Sequence, residues 1–384
     1  MFYAKMKKAI ALMLALLMVL SLAACSNSST KDTKAENQTE TKEPETAEDA
    51  GEGEETEEPE EAEEPEQAEE AGEADGETIT WIYANVGAAD IVANVHMEQL
   101  AAEVAEKTNG GFVIECYHNS SMGDNREIVE GMQFGTIQMT LGNISTLSGY
   151  SDKIGVVETP YLFGTLDGAY NVFVESDVLQ PIYDDMAELG LYWVTGWYQG
   201  YRVLTTTKTP VHTPEDMKGL KIRTMESENH MAHFNTLGAN AIPMSFSEVF
   251  TALQQGAIDG QENPYVQIFT QGINEVQGYI IETNHICDVM PLLVSQKAFD
   301  ALPEEYQNVL LETIAEYTKK VWDATEEDIV RIKGEITATG KTEIIELTEE
   351  EHELFVEAAQ PVWELIEGKV GSEFMQSVIA AANG

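Results

Sequence analysis

The chain has 384 residues and a formal net charge of −47 at pH 7, with 68 acidic residues against 21 basic ones. Such a balance lacks the clustered Lys and Arg that phosphate backbones require, which excludes nucleic acid as a partner. The stretch from 79 to 384, about 306 residues, is long enough to build two α/β lobes of ordinary size.

Lys5, Lys7 and Lys8 precede an uninterrupted apolar run from Ala9 to Leu20, followed by Leu22-Ala23-Ala24-Cys25. This is the architecture of an export signal over residues 1–25. The run is too short to span a bilayer, and no later segment approaches the roughly 20 apolar residues a spanning helix needs. The ending at Cys25 resembles the lipobox of bacterial lipoproteins, which implies cleavage before Cys25 and a lipid anchor on its sulfur. An ordinary secretory cleavage site beside a chance cysteine is the alternative. Two or more acyl chains would hold such a protein stably on a membrane surface. Residues 26–77 contain no aromatic residue and no Val, Ile or Leu, and between 31 and 78 there are 22 acidic and 3 basic residues. A segment of that composition cannot bury enough apolar area to fold and reads as an extended acidic tether.

The folded part opens as strand, helix, strand, helix, strand, the order of a parallel sheet with crossover helices. Thr78 to Val86 alternates Ile79, Trp81 and Tyr83; Asp90 is placed to cap a helix through Val104, and Asn109-Gly110-Gly111 ends it. Phe112 to Tyr117 is the second strand, Asp124 caps a helix through Met132, and Ile137 to Leu141 is the third strand. Thr213-Pro214-Glu215-Asp216 marks a helix start before a strand from Leu220 to Thr224, and Ser245 with Glu248 forms a capping box for a helix ending at Gly256. Helical periodicity from Pro303 to about Thr337 predicts an unusually long helix spanning both lobes. Cys116 and Cys287 lie in apolar strand-like contexts and are expected as two separate buried thiols.

The strong enzyme motifs are missing: there is no G-x-S-x-G, H-E-x-x-H, Walker A, G-x-G-x-x-G or C-x-x-C. His230 and His233 are three apart, but no third ligand follows at supporting spacing, so neither a metal nor a cofactor is expected. What stands out is arginine at strand ends in a region poor in positive charge: Arg202 begins one strand and Arg223 ends another. A guanidinium presents a planar fork that matches a carboxylate in two parallel hydrogen bonds. In an anionic body, a carboxylate ligand needs such a local cation. Pairing of each arginine with an acidic neighbour is the competing expectation.

The segment Thr213-Pro214-Glu215-Asp216-Met217-Lys218-Gly219-Leu220-Lys221-Ile222-Arg223 resembles one in the substrate-binding subunits of tripartite ATP-independent periplasmic (TRAP) transporters. So do Leu237 to Met244, Phe250 to Pro264, Glu106 to Gly110, Met122 to Glu127, Thr159 to Phe163 and Thr283 to His285, in family order over nearly all of 79–384. The resemblance implies an α/β fold of the two-lobe periplasmic-binding-protein type, with hinge-crossing segments and a ligand cleft that shuts on binding. The first lobe would comprise 79–199 and 289–328, the second 200–288 and 329–384. By position, Arg223 resembles the arginine that pairs with the ligand carboxylate, Asn263 the asparagine that supports it, and Arg202 a second cleft arginine. In the first lobe, Asn85, Asp124, Asn125 and Asn143 stand where the rest of the ligand is often met, and Tyr161, Phe163, Trp197 and Tyr265 are candidate apolar walls. Asn143 departs from the glutamate that some acidic-sugar binders carry, which disfavours sialic acid and leaves C4-dicarboxylates and other simple carboxylates. The resemblance further implies a binding protein without enzymatic activity. Its partner would be a two-part membrane permease driven by an ion gradient, and its place the outer face of the cytoplasmic membrane. A binding protein for an ATP-driven transporter, or a ligand-sensing module of a signalling system, are the alternatives.

Overall fold

The computed structural model describes residues 78–384. The expected signal, the Cys25 anchor and the acidic tether lie outside the described residues.

The alternating run at the start of the folded part becomes strand β1 (Ile79–Ala84), which pairs in parallel with β2 (Phe112–Tyr117) on one side and β3 (Met139–Leu141) on the other. Helices α1 (Val92–Lys107) and α2 (Asn125–Phe134) make the crossovers between them. Asp124 caps α2 as expected, accepting from the amides of Arg126 and Glu127 while Glu127 reaches back to the Asp124 amide. At α1 the expectation fails, because Ile91 occupies the cap position and Asp90 lies one residue too early.

Two long strands organise the rest. β4 (Leu191–Thr206) and β8 (Tyr279–Ser295) are antiparallel along most of their 16 and 17 residues, about three times the usual strand length. β8 also pairs with β3. Beyond β4 lie β7 (Gly260–Pro264), β5 (Lys221–Thr224) and β6 (Asn240–Pro243), giving one sheet in the order β2-β1-β3-β8-β4-β7-β5-β6, with β9 (Glu343–Ile345) beside β8. Three register shifts interrupt the β4–β8 ladder, at Trp193/Thr195, Tyr198/Gly200 and Arg202/Leu204. Such irregularities bend a strand pair and increase its twist. Gly200 sits at the middle one with a φ of +112°, a conformation side-chain-bearing residues avoid.

The apolar side chains gather into separate cores rather than one. Two are on the first lobe, around Val289, Leu293 and Phe173 and around Leu100, Phe112 and Leu292. Two are on the second, around Val203, Val249 and Ile268 and around Leu204, Ile222 and Phe355. β4 and β8 feed all four, so the lobes are joined by continuous strands. The predicted long helix is present as α3 (Glu304–Thr339), 36 residues and about 54 Å at 1.5 Å per residue. Its Leu310, Ile314 and Val321 pack in the first lobe and its Ile332 and Ile336 in the second.

One boundary is corrected. The C-terminal helices α4 (Gln360–Val370) and α5 (Ser372–Asn383) were expected on the second lobe with the rest of 329–384. Instead Val362, Ile366, Met375, Val378 and Ala382 are buried in a first-lobe core. Only the part through the helix Glu349–Ala358 contributes to the second lobe, with Ile345 and Phe355. Both helices are amphipathic, and periodicity says which face is buried without saying against what. Cys116 and Cys287 are unbridged; Cys287 is buried, whereas Cys116 is only half-buried.

Gly260 tests how β7 is seated. A Cβ there would overlap the backbone carbonyl oxygen of Thr205 on β4. Because backbone cannot yield as a flexible side chain does, Gly260→Ala is expected to lower stability by about 1–3 kcal/mol in urea denaturation. An unchanged midpoint would show that β7 is not held this closely.

Candidate functional site in the cleft between the lobes

β5 is four residues long and flanked on both sides, pairing Arg223 with Ile242 of β6 and Gln261 of β7. The strand carries the Arg223 side chain into the cleft, where it is only 3% exposed. Its Nε and Nη2 both donate to the carbonyl of Met244, at 2.9 and 2.6 Å, and the ring of Phe246 lies 5.8 Å from its guanidinium carbon. Nη1 is buried without a hydrogen-bond partner, and no carboxylate among the described residues is within ion-pairing distance. Burial pushes the Arg223 pKa down to about 10, with the negative charge of Glu262 opposing that shift and the positive charge of Arg202 adding to it. The group therefore remains a cation at neutral pH, with an unspent donor.

Arg202 on β4 has a different environment. It is 2% exposed and fully engaged with carboxylates: Nε and Nη2 hold Glu262 in a fork, and Nη1 donates to Asp288 at 2.5 Å. Nη2 also reaches the Glu262 carbonyl at 2.8 Å and the Asn263 side-chain oxygen at 3.0 Å. Burial works against the Arg202 charge, but Glu262 and Asp288 outweigh it and raise the pKa above the ordinary value. Burial likewise favours neutral Glu262, yet Arg202, the bond to His285 and the nearby His230 hold its carboxyl well below the carboxylate range. The competing expectation of a neutralised arginine is thus realised at position 202. Its guanidinium lines the cleft, but as part of an internal ion network.

Two adjoining cavities open in the cleft. The inner one has about 490 Å³ of empty space, counting the solvent at its open side. It brings together Asn85, Asn125, Asn143, Arg202, Arg223 and Asn263. The outer one adds Asp124, Arg126, Glu226 and Ser245, and shares Asn125, Asn143, Arg223, Met225 and Phe246 with the inner one. All seven polar candidates from the sequence therefore line this cleft.

Their hydrogen bonds distinguish them. Asn85 is spent on structure, accepting from the Gly87 amide at 2.7 Å and donating to the Leu141 carbonyl at 2.9 Å. Asp124 caps α2 and accepts from Ser245 at 3.4 Å, so the hydroxyl expected to cap the helix Phe246–Gln254 instead reaches across the cleft. Asn143 donates to the Met225 sulfur at 3.2 Å, also across the cleft. Asn263 supports Arg202 rather than Arg223.

The four aromatic candidates line neither cavity. Tyr161 packs edge-on against His233 and His352, and Phe163 against Phe173 in the first-lobe core. Trp197 donates to Thr318 at 3.0 Å, and Tyr265 donates to Glu282 at 2.8 Å. Phe163, Trp197 and Tyr265 are buried in apolar clusters and Tyr161 packs partly buried against one, the ordinary fate of a large aromatic side chain. Phe246 supplies the aromatic surface of the cleft instead, together with Met225 and Met290. Gln199, Gln267 and Asp288 were also missed. Gln199 and Asp288 were visible as isolated polar residues inside apolar strand runs. His233 stacks on His285 at 5.4 Å, and His230 faces Glu158 and Glu262 at 3.5 and 3.6 Å, so the histidine pair belongs to the buried network under the cleft.

Two lobes joined by continuous strands, with a polar cleft holding a buried cation, are the architecture of a clamshell-type solute-binding protein. The chain belongs to the family described as bacterial extracellular solute-binding protein, family 7, whose model matches residues 84–369. It is 32% identical to the C4-dicarboxylate-binding periplasmic protein DctP of Rhodobacter capsulatus, over 73% of this chain and 84% of that protein. Among solved structures, it superposes with a TM-score of 0.77 on the sugar acid binding protein DctPAm of Advenella mimigardefordensis in complex with galactonate. That match has 26% identity and covers 80% of this chain and 99% of the other. A TRAP periplasmic solute-binding protein of Shewanella oneidensis with bound succinate gives 0.76 at 25% identity, covering 80% and 100%. The family comprises transport binding proteins rather than enzymes, and its members work outside the cytoplasm.

Removing one partner of a buried ion pair leaves the others charged and unsolvated, at a cost of about 3–5 kcal/mol. Arg202→Met, which strands Glu262 and Asp288, is expected to lose that much stability in denaturant titration. A loss below about 1 kcal/mol would show that the network is not what joins β4, β7 and β8 here.

Proposed function

We propose that the chain captures a small organic acid between its lobes, with the acid's carboxylate on Arg223, and delivers it to a TRAP membrane permease. The observation that carries this reading is the unpartnered Nη1 of a buried, charged guanidinium lining both cavities. A buried cation without a counter-ion is costly unless a ligand completes it. The first lobe is assigned residues 79–199, 289–328 and the C-terminal helices, and the second 200–288 and 329–358.

Within that class, a single carboxylate with several hydroxyls fits the cleft better than the C4-dicarboxylate the sequence suggested. Arg223 is the one cavity-lining cation among the described residues that is both buried and without a carboxylate partner. The other free candidate, Arg126, is 66% exposed at the mouth and already 4.0 Å from Glu226. The walls offer carboxamides, from Asn125, Gln199 and Gln267 among others, which can both donate to and accept from hydroxyls. Asp124, Glu226 and Asp288 would repel a second carboxylate. The structural relatives carry both kinds of ligand, galactonate in one and succinate in another. The sequence of the N-terminus supports export and attachment through Cys25, and the tether would keep the lobes at high local concentration near the permease.

Arg223→Lys keeps the charge and loses the fork. With charge-assisted bonds contributing about 1.5–3 kcal/mol each, calorimetry should show affinity for the bound acid falling roughly 10- to 100-fold at an unchanged fold. Unchanged affinity would refute the assignment. In a thermal-shift panel, six-carbon aldonates and uronates should raise the melting temperature more than succinate or malate, because ligand binding to the native state stabilises it by mass action. The reverse order would restore the dicarboxylate reading.

A further inference from the structure

Outside the cleft, α1 and the end of β2 bring together three side chains that line neither of its cavities: Glu98, Cys116 and His118. We infer that they form a binding site for a borderline divalent cation of the zinc class. Their donor atoms, one carboxylate oxygen, one sulfur and one imidazole nitrogen, all lie within 4.8 Å of one another. His118 Nε2 is 2.8 Å from Glu98 Oε1. Zinc bonds of about 2.0–2.3 Å in tetrahedral geometry place ligand atoms roughly 3.3–3.8 Å apart, so small side-chain movements suffice to gather these three.

The donors are held by the sheet rather than by a loose loop. Cys116 is in register with Tyr83 in the parallel β1–β2 pair. On either side of His118, the Tyr117 carbonyl accepts from the Asn85 amide at 2.8 Å, and the Asn119 amide donates to the Gly87 carbonyl at 2.9 Å. The His118 ring packs edge-on against Tyr83 at 5.9 Å, and the Tyr83 hydroxyl is tied to Asn94 of α1 at 2.9 Å. The His118 side chain is only 8% exposed, and its Nδ1 is buried without a partner, so the polar contacts of the ring lie on the side of Glu98 and Cys116.

The chemistry of the set selects the ion. One carboxylate, one thiolate and one neutral imidazole carry two negative charges, which a divalent cation cancels. Mixed sulfur, nitrogen and oxygen donors suit zinc, cobalt or copper rather than calcium or magnesium. Glu98 has a side chain 56% exposed, which leaves room for water as a fourth ligand. Use of Cys116 as a nucleophile or redox centre is disfavoured, because burial and then the neighbouring Glu98 push its thiol up to about 12. A bound cation reverses that: the sulfur–metal bond forms as the sulfur–hydrogen bond breaks, and the proton leaves to solvent.

Cobalt(II) titration of the purified chain reads the site directly, since only thiolate ligation gives a sulfur-to-cobalt charge-transfer absorption. The expected result is saturation of that band at one equivalent, bleaching by added Zn²⁺, and its loss in Cys116→Ser. Affinity should fall at least about tenfold in both His118→Ala and Glu98→Gln, whose thiol is intact. Absence of the band, its persistence in Cys116→Ser, or unchanged affinity in both of the other variants would overturn the site. Should Cys116→Ser fail to fold, the two remaining variants decide.

Discussion

A buried guanidinium with one hand empty is the constraint around which this molecule is arranged. Arg223 is sealed from water on a short strand between two neighbours, steadied by the Met244 carbonyl, and left without an anionic partner among the described residues. Holding it there costs free energy that, in the proposed cycle, an incoming carboxylate would offset. Because the cleft is walled by both lobes, a ligand that touches both favours the shut form over the open one by its difference in affinity for the two. In the proposed cycle, that difference is what reports occupancy to the permease.

The second arginine shows how the same residue type can be assigned to architecture. Arg202 faces the same cleft but is clasped by Glu262 and Asp288, so it ties β4 to β7 and β8 where all three pass beneath the inner cavity. Beneath it, His285 and His230 approach Glu262 from the second lobe, and Glu158 of the first lobe accepts from Ser227 and Asn229. A connected ionic network of this kind is weak evidence for stability as such. Its position at the junction of the lobes favours a role in fixing one geometry for the floor of the cleft.

The sequence made some of this legible and hid the rest for physical reasons. Strand and helix order in the first lobe, the Asp124 cap and the long helix from Pro303 follow from local periodicity and capping chemistry, and they are present. Asn85, Asn143, Arg223 and Asn263 reach the cleft at or just past strand ends, whereas Asp124 and Asn125 open a helix and Arg202, expected to begin a strand, lies inside β4 beside a register shift. What local pattern could not resolve is partnership. Arg202 and Arg223 look alike along the chain, and only the placement of Glu262 and Asp288, 60 and 86 residues away, separates their roles. The aromatic candidates went astray for the same reason, since Trp197 and Phe246 differ in which face of the chain meets the core. The C-terminal helices carried an apolar stripe with no indication of which lobe would cover it. Cys116 and His118 looked like strand end and loop until α1 laid Glu98 beside them.

The most direct test of the central claim is a crystal structure of the chain with its bound acid. The carboxylate oxygens are expected about 2.7–2.9 Å from Arg223 Nη1 and a neighbouring donor, with Arg202 still paired to Glu262 and Asp288. A ligand whose carboxylate is held elsewhere, with the Arg223 guanidinium bound only to the Met244 carbonyl, would contradict it.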